Sequence, residues 1–180
     1  IALESADPIR SLPVGHVQAL GDRVRAMGFT PVVLGRNRLN IRGLGFIDLT
    51  GQTDLMYLAV MLPSVKAAIC ADSAVAHLAL LHHTPTVVGF TVIEPMARLF
   101  YYSGPRVAIV PHQAQIGDET FPAGERATKL GGQWASAVRV EDLEAGLRTV
   151  LGMGDKPRLS LVRSAKDQEI RTLELRPEDR

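Results

Sequence analysis

Residues 67 to 79 read AAICADSAVAHLA, and this stretch decides the fold. The apolar run predicts a buried strand from Ala67 to Cys70, and Asp72-Ser73 then opens a helical pattern from Ala74 to about Leu81. Ser73 is of a residue type that caps helix N-termini. A strand that leads directly into a helix is the repeating unit of parallel sheets covered by helices.

The same alternation of short apolar runs and helical patterns extends in both directions along the chain. Helices are predicted from Pro13 to Met27, from a cap at Thr53 to Pro63, and from Val140 to Leu151. The other predicted strands are Ile1 to Glu4, Pro31 to Leu34, Phe46 to Leu49, Thr86 to Phe90 and Val107 to Val110. The fold class is therefore α/β, a Rossmann-like doubly wound parallel sheet.

Charge divides the chain near Gly152. Residues 1 to 152 form the predicted domain, whereas nearly half of residues 153 to 180 are charged. Alternating residues at Leu159 to Val162 and at Ile170 to Leu175 predict short strands in this extension. An edge hairpin, a docking arm and a solvated tail all fit, and an extension appended to the core is favoured over a catalytic part.

Composition excludes several classes of protein. A formal net charge of +1 is too small for a general nucleic-acid binder. The single cysteine, Cys70, cannot form an intrachain disulfide, and its apolar run predicts a buried structural thiol compatible with a reducing cytosol. No apolar stretch approaches the length of a transmembrane helix, and no signal peptide is evident. The absence of an initiator methionine predicts a fragment, a processed product or a trimmed chain.

In the common doubly wound order the first and fourth strands lie side by side, and ligands bind above their carboxyl ends. The loops expected there run from Ser5 to Arg10 and from Ala71 to His77. The helix start at Asp72, Ser73 and Ala74 suits phosphate, because helix N-termini present unpaired N–H groups and partial positive charge.

Three further side chains are candidates for the same site. His77 lies four residues after Ser73 and thus on the same helix face, within reach of a phosphate or a sugar hydroxyl. Arg10 can pair with a phosphate, and Thr53 can cap its helix, touch the ligand, or do both. The alternatives are a plain helix cap, a hydrogen-bonded histidine and a solvated arginine.

The motifs resemble the carboxyl-terminal half of glycosyltransferase family nine, the heptosyltransferases. The resemblance rests on DLTGQT at 48 to 53, CADSAVAHLA at 70 to 79 and TPTVV at 84 to 88, supported by RSLP at 10 to 13, and it spans about residues 1 to 151. Leu12 stands where the family has an aromatic residue, and Arg10 where lysine is common. After the second strand, where the family often has an acidic residue for the ribose, this chain has Arg36-Asn37-Arg38.

The resemblance implies the donor-binding half of a GT-B glycosyltransferase, two Rossmann-like domains that face a cleft. It implies that the nucleotide-diphosphate sugar lies on Asp72, Ser73 and Ala74, with Asp72 and His77 near the sugar and Arg10 on the phosphates. It further implies a metal-independent transfer of a heptose or hexose-type sugar to a glycan or lipid-linked acceptor, in the cytoplasm or at the inner membrane, without another cofactor.

The same resemblance assigns the catalytic base to an amino-terminal acceptor domain, so no residue of this chain is predicted to be catalytic. The chain needs that domain or a partner chain for turnover. Two rival hypotheses stay open at this point. One is a GT-B-like binding or structural module without activity in a larger assembly, and the other is a nucleotide-sugar epimerase.

Overall fold

A computed structural model describes residues 1–39, 41, 45–91, 93, 95–99, 101–110, 138–153 and 160–162. The helices are α1 (Gly15–Ala26), α2 (Leu55–Met61), α3 (Ala74–Leu81), α4 (Met96–Leu99) and α5 (Val140–Val150). The strands are β1 (Val32–Val33), β2 (Ile47–Asp48), β3 (Ala68–Ala71), β4 (Thr86–Gly89), β5 (Arg106–Ile109) and β6 (Ser160–Val162). Short 3-10 turns cover Pro8–Arg10 and Leu62–Ser64.

All strand pairs in the described part of the chain are parallel. β3 pairs with β4, β4 with β5 and β5 with β6, whereas β1 pairs with β2. Residues 1 and 2 join these two groups of strands, because Ala2 forms a β-bridge with Cys70 of β3 and the Ile1 carbonyl accepts the Leu34 N–H, just after β1, at 2.9 Å. The predicted doubly wound sheet, with the first strand beside the fourth, is therefore confirmed.

The prediction of a first strand from Ile1 to Glu4 is wrong in its length. Only Ala2 makes a β-bridge, because the chain folds back on itself directly afterwards. The Leu12 N–H donates to the Leu3 carbonyl at 2.8 Å, and the Ser5 N–H donates to the Ser11 hydroxyl at 2.9 Å. These backbone groups are satisfied by the returning loop instead of by a neighbouring strand.

Two apolar layers lie on opposite faces of the sheet. One contains α1 and α5 with side chains such as Leu20, Leu143 and Leu147, and the other contains α2 and α3 with side chains such as Leu58 and Leu80. The strands β3, β4 and β5 are buried along their whole length, as expected of parallel strands covered on both faces.

Close approach of α5 to the sheet depends on Gly146. A Cβ atom at this position would lie 2.9 Å from Cγ1 of Val87 on β4. An ion-pair network ties the same helix to α1, since Arg23 donates to Glu144 at 2.5 Å and to Glu141 at 2.6 Å, and Arg148 donates to Glu144 as well. Packing and charge together fix α5 on this face of the sheet.

The prediction that Thr53 caps α2 is wrong. Asp54 occupies the cap position, and its carboxylate accepts the Tyr57 N–H at 2.7 Å. Threonine and aspartate are both good N-cap residues, and an N-cap has an extended backbone. Asp54 has this conformation and therefore caps the helix. The helix itself ends at Met61, and Pro63 lies in the 3-10 turn that follows.

The sheet continues beyond Gly152. The strand predicted at Leu159 to Val162 is present as β6, which pairs with β5 at the sheet edge. The predicted strand at Ile170 to Leu175 lies outside the described residues, and the role of the extension stays a prediction. In the described parts of the chain, no helix is long and apolar enough to cross a membrane.

Candidate functional site

The two loops predicted to form the site, Ser5 to Arg10 and Ala71 to His77, meet above the carboxyl ends of residues 1–4 and of β3. The Ser5 hydroxyl donates to the Asp72 carbonyl at 3.0 Å, a buried contact between residues 67 positions apart. The loop after β4 joins them, because the Thr91 hydroxyl donates to the Ile9 carbonyl at 2.8 Å. Three loops are thus fixed to one another around the start of α3.

The start of α3 contains a buried hydroxyl group that makes no hydrogen bond. Ser73 is the N-cap residue, and its carbonyl accepts the His77 N–H, but its hydroxyl makes no capping hydrogen bond. The residue is only 8% exposed, and its Oγ has no hydrogen-bond partner. Ala74, the first helical residue, is exposed. An unpartnered hydroxyl beside the free N–H groups of a helix start is suited to an anionic ligand.

Asp72 lies at the centre of a charged cluster. Its side chain is only 3% exposed, and three side chains surround its carboxylate. Oδ2 lies 3.4 Å from Nη1 of Arg10 and 3.8 Å from Nε of Arg98, and Oδ1 lies 3.6 Å from Nε2 of His77. Two guanidinium groups thus lie against one buried carboxylate next to the start of α3, so neither is fully paired by Asp72 alone.

Arg10 lies where the sequence predicted it, at the end of the Pro8–Arg10 turn. The carboxylate of Asp7 caps this turn by accepting the Ile9 N–H at 3.2 Å. Asp7 is also 3.8 Å from Nε of Arg10, an exposed ion pair that contributes little by itself. The turn therefore directs Arg10 toward Asp72.

Arg98 belongs to this cluster but was not among the predicted site residues. It lies on α4, and its Nε is buried and makes no hydrogen bond. The local sequence, Pro95 to Leu99, contains no motif that marks a ligand-binding arginine. Its only sequence signal is a lone cation in an apolar run, and the fold alone brings it within 4 Å of Asp72.

His77 occupies the predicted face of α3, half-buried between Asp72 and Tyr102. Its Nδ1 lies 2.9 Å from the Tyr102 hydroxyl, and the two rings are tilted with centroids 5.6 Å apart. If Nδ1 accepts from the tyrosine, Nε2 carries the proton that faces Asp72. A ligand that binds His77 therefore has to share or displace one of these two partners.

Thr53 is not joined to the cluster by any hydrogen bond in the described part of the chain. It is half-buried just before α2. The turn before it is fixed by Asp48, which accepts the Thr50 hydroxyl at 2.6 Å and the Thr50 N–H at 3.0 Å. These hydrogen bonds hold the pKa of Asp48 below its ordinary value. Ligand contact by Thr53 stays a prediction.

A second polar feature lies at the loop after β1. The Glu4 carboxylate accepts the Arg36 N–H at 2.6 Å and the Asn37 N–H at 3.1 Å, and it also accepts the Asn37 side-chain amide. A cavity of about 510 Å³ opens beside it, lined mainly by the loop after Leu3, the start of α1 and the loop after β1. The loop after β1 contains no acidic residue at Arg36-Asn37-Arg38, but the carboxylate of Glu4 lies against it.

Cys70 lies on β3 directly below the site and is fully buried. Burial raises the pKa of its thiol to about 12, so the sulfur stays protonated and is not a nucleophile. Within the described residues, no three His, Cys, Asp or Glu side chains lie close enough together to hold a metal ion.

Comparison with known proteins gives a consistent answer for the fold. No family model matches the sequence, and no curated protein matches it. Among solved structures, the glycosyl transferase family 9 protein from Veillonella parvula superposes with a TM-score of 0.64 at 18% identity, over 84% of this chain and 45% of that one. The ADP-heptose lipopolysaccharide heptosyltransferase II of E. coli gives 0.61 at 16% identity, with the same coverage.

A third structure, the dodecameric iron-containing heptosyltransferase TibC in complex with ADP-D-beta-D-heptose, gives a TM-score of 0.61 at 14% identity. It covers 84% of this chain and 44% of that one. The chain spans less than half the length of each of these structures. It has the fold of glycosyltransferase family 9 over that portion, as its motifs predicted.

Proposed function

We propose that the chain is the donor-binding part of a glycosyltransferase that transfers a heptose or hexose-type sugar from a nucleotide diphosphate to a glycan or lipid-linked acceptor. The observation that carries this proposal is the cluster at the start of α3. There, Arg10 and Arg98 share the single carboxylate of Asp72, and the Ser73 hydroxyl lacks a partner. The fold shared with family 9 structures supports the same function.

The chemistry of the site suits a diphosphate leaving group. When an acceptor hydroxyl attacks the anomeric carbon, negative charge develops on the diphosphate as its bond to the sugar breaks. Guanidinium groups and helix N–H groups already oriented toward this charge stabilise it without rearrangement. In this proposal the arginine side chains, and not a bound cation or other cofactor, supply the positive charge.

The nucleoside of the donor fits beside the phosphates. The cavity of about 510 Å³ next to Glu4 lies in the size range of small-molecule sites. Its lining includes Ser5, whose hydroxyl bonds to the Asp72 backbone, so the cavity adjoins the cluster. The Glu4 carboxylate lies on its edge, where it can reach a ribose hydroxyl.

The proposed enzyme needs more than this portion of the fold. The family 9 structures are more than twice as long as the region matched here. We therefore assign the acceptor site and the catalytic base to another domain or chain, and donor binding to this one. The corresponding location is the cytoplasm, at the inner membrane surface where the acceptor is lipid linked.

One observation favours the rival hypothesis of a binding or structural module. The uncharged helix α2 exposes Leu55, Met56, Tyr57 and Val60, a concentration of apolar surface that is typical of a contact with another protein. The module hypothesis keeps the fold without sugar transfer, and a site that no longer binds nucleotides would favour it.

Thermal unfolding with a panel of nucleoside diphosphates and nucleotide sugars tests the proposal. A ligand at one hundred times its Kd stabilises the folded state by about 2.7 kcal/mol. For a chain of this size, this stabilisation raises Tm by roughly 5–10 °C. Sulfate and a nucleoside are the controls. If no nucleotide at millimolar concentration shifts Tm beyond the sulfate control, the donor-binding function is wrong and the module hypothesis gains.

A further inference from the structure

We infer that Arg98 is a second diphosphate-binding residue, and that Asp72 positions Arg98 and Arg10 for the phosphates instead of contacting the sugar. This inference rests on the proposed function. It differs from the role that the family resemblance implies for Asp72, and it adds a residue that the sequence motifs do not contain.

The surroundings of Asp72 are those of a positioning residue. Its side chain is 97% buried, and both carboxylate oxygens already face cationic or hydrogen-bonding groups of the protein. Oδ2 faces Arg10 and Arg98, and Oδ1 faces His77. A carboxylate that is so enclosed is poorly placed to bind a sugar hydroxyl, but it fixes the direction of two flexible arginine side chains.

Arg98 has hydrogen-bonding capacity left for a ligand. It approaches Asp72 through Nε, and this atom is buried without a hydrogen bond. No residue in the described ranges accepts a hydrogen bond from its terminal amino groups. The side chain is still 41% exposed, so the guanidinium lies beside Asp72 and is accessible to a ligand. A planar guanidinium in this state is suited to bind phosphate oxygens through two parallel hydrogen bonds.

The position of Arg98 relative to Arg10 is fixed by the fold. Arg10 ends the turn Pro8–Arg10, whose Ile9 carbonyl accepts the Thr91 hydroxyl at the start of the loop that leads to α4. The two arginines therefore come from loops that are bonded to each other, and both approach the same Asp72 oxygen.

Two arginines face one buried carboxylate, and the only other carboxylate within 4 Å of either in the described ranges is the exposed Asp7, whose ion pair with Arg10 is weak. A diphosphate offers one phosphate group for each guanidinium, whereas a monophosphate engages only one of them. The site should therefore prefer nucleoside diphosphates, and Arg98 should contribute more to diphosphate than to monophosphate binding.

Calorimetric titration of the 180-residue chain with a nucleoside diphosphate and with the matching monophosphate tests this inference. The variants are Arg98→Ala and Arg98→Lys, with Arg148→Ala as the control, because Arg148 is a similarly exposed arginine with an ion pair on α5. We expect Arg98→Ala to weaken diphosphate binding about 10- to 100-fold. The monophosphate should lose about threefold or less, Arg98→Lys should recover part of the loss, and the control should bind like the parent chain.

The role of Asp72 is tested by measuring Asp72→Asn with and without Arg98→Ala. If Asp72 acts through Arg98, the asparagine variant weakens diphosphate binding much less when Arg98 is already absent. Equal fold-losses in both backgrounds contradict the positioning of Arg98 by Asp72. If Asp72→Asn does not unfold cooperatively, Asp72→Glu, which keeps the charge and moves the carboxylate, is measured in the same two backgrounds and judged in the same way.

The possible outcomes separate the two proposals. If the parent chain binds no nucleotide, the proposed function fails, and this inference fails with it. If the parent chain binds nucleoside diphosphate and Arg98→Ala binds it equally well, only the inference is overturned. Equal losses of diphosphate and monophosphate affinity in Arg98→Ala contradict the assignment of one arginine to each phosphate.

Discussion

Replacing Ser73 by alanine should stabilise or leave unchanged the free chain while weakening its affinity for nucleoside diphosphates. In most helices the removal of an N-cap serine costs about 1 kcal/mol, because its oxygen satisfies a backbone N–H group. Ser73 makes no such bond, and its hydroxyl is buried without any partner. The hydroxyl therefore costs stability in the free chain and becomes useful only when a ligand binds.

The magnitude follows from the two states of this hydroxyl. A buried hydroxyl without a partner costs about 1–3 kcal/mol, but its removal also loses the packing contacts of the oxygen and leaves a small void. The free energy of unfolding should therefore rise by only about zero to 1 kcal/mol in the variant. In the complex the hydroxyl donates to a phosphate oxygen, so its removal costs about 1 kcal/mol there. Together with the roughly zero to 1 kcal/mol gained by the free chain, this weakens binding by about 1–2 kcal/mol, or roughly five- to thirtyfold.

Asp54→Ala provides the matched comparison. Asp54 is the N-cap of α2, and its carboxylate does accept a backbone N–H, that of Tyr57 at 2.7 Å. Its replacement should lower the free energy of unfolding by about 1 kcal/mol, or roughly 2–4 °C in Tm, without a direct effect on the α3 site.

The assay is urea unfolding of both variants and the parent chain, with and without a saturating nucleoside diphosphate. If Ser73→Ala loses as much stability without nucleotide as Asp54→Ala does, Ser73 caps α3 in solution and its hydroxyl is not available to a ligand. Unchanged nucleotide affinity in Ser73→Ala would equally refute the reasoning.

Three further predictions concern the fold. Gly146→Ala should lower the free energy of unfolding by about 1–2 kcal/mol in urea, because the new Cβ would lie 2.9 Å from Val87 and this strain exceeds the gain in helix propensity. Gly15→Ala is the control and should not destabilise the chain, because its Cβ meets no atom within 4 Å. The ion pairs to arginines on α1 and α5 lower the pKa of Glu144, so they stabilise the fold above the unfolded-state pKa and this contribution is lost as pH falls through the folded-state pKa. Glu144→Gln should then cost about 1 kcal/mol at pH 7 and progressively less as the pH falls below the unfolded-state pKa, and a cost that does not change with pH would contradict the ion-pair explanation. Because burial raises the pKa of Cys70 to about 12, iodoacetamide at pH 8 should alkylate this thiol only after denaturant is added, as mass spectrometry would show.

The sequence predicted the sheet because its strongest signals are local. The apolar runs of β3, β4 and β5 and the helical spacing of α5 match the structure to within a residue or two. The first strand was wrong because the hydrogen bonds that Leu12 and Ser11 form with it depend on the path of the returning loop. No pattern within Ile1 to Glu4 contains this information.

Part of the candidate site could likewise be predicted from the sequence. Asp72, Ser73 and Arg10 could be placed because the doubly wound topology brings the loops after the first and fourth strands together. Arg98 could not, since α4 reaches the cluster only through the path of the loop after β4. Thr53 was misassigned because two capping residue types are adjacent and the turn before them decides which one the helix uses.

In the proposed complex a nucleoside diphosphate lies at the start of α3 between two arginines. Nuclear magnetic resonance titration of the labelled chain with a nucleoside diphosphate shows whether it binds there. We expect saturable shifts of the Ser73 and Ala74 amide signals and of the Nε–H signals of Arg10 and Arg98, with little change at the remote Arg148. Saturable binding that leaves these four signals in place, or no binding at all, would contradict this proposal.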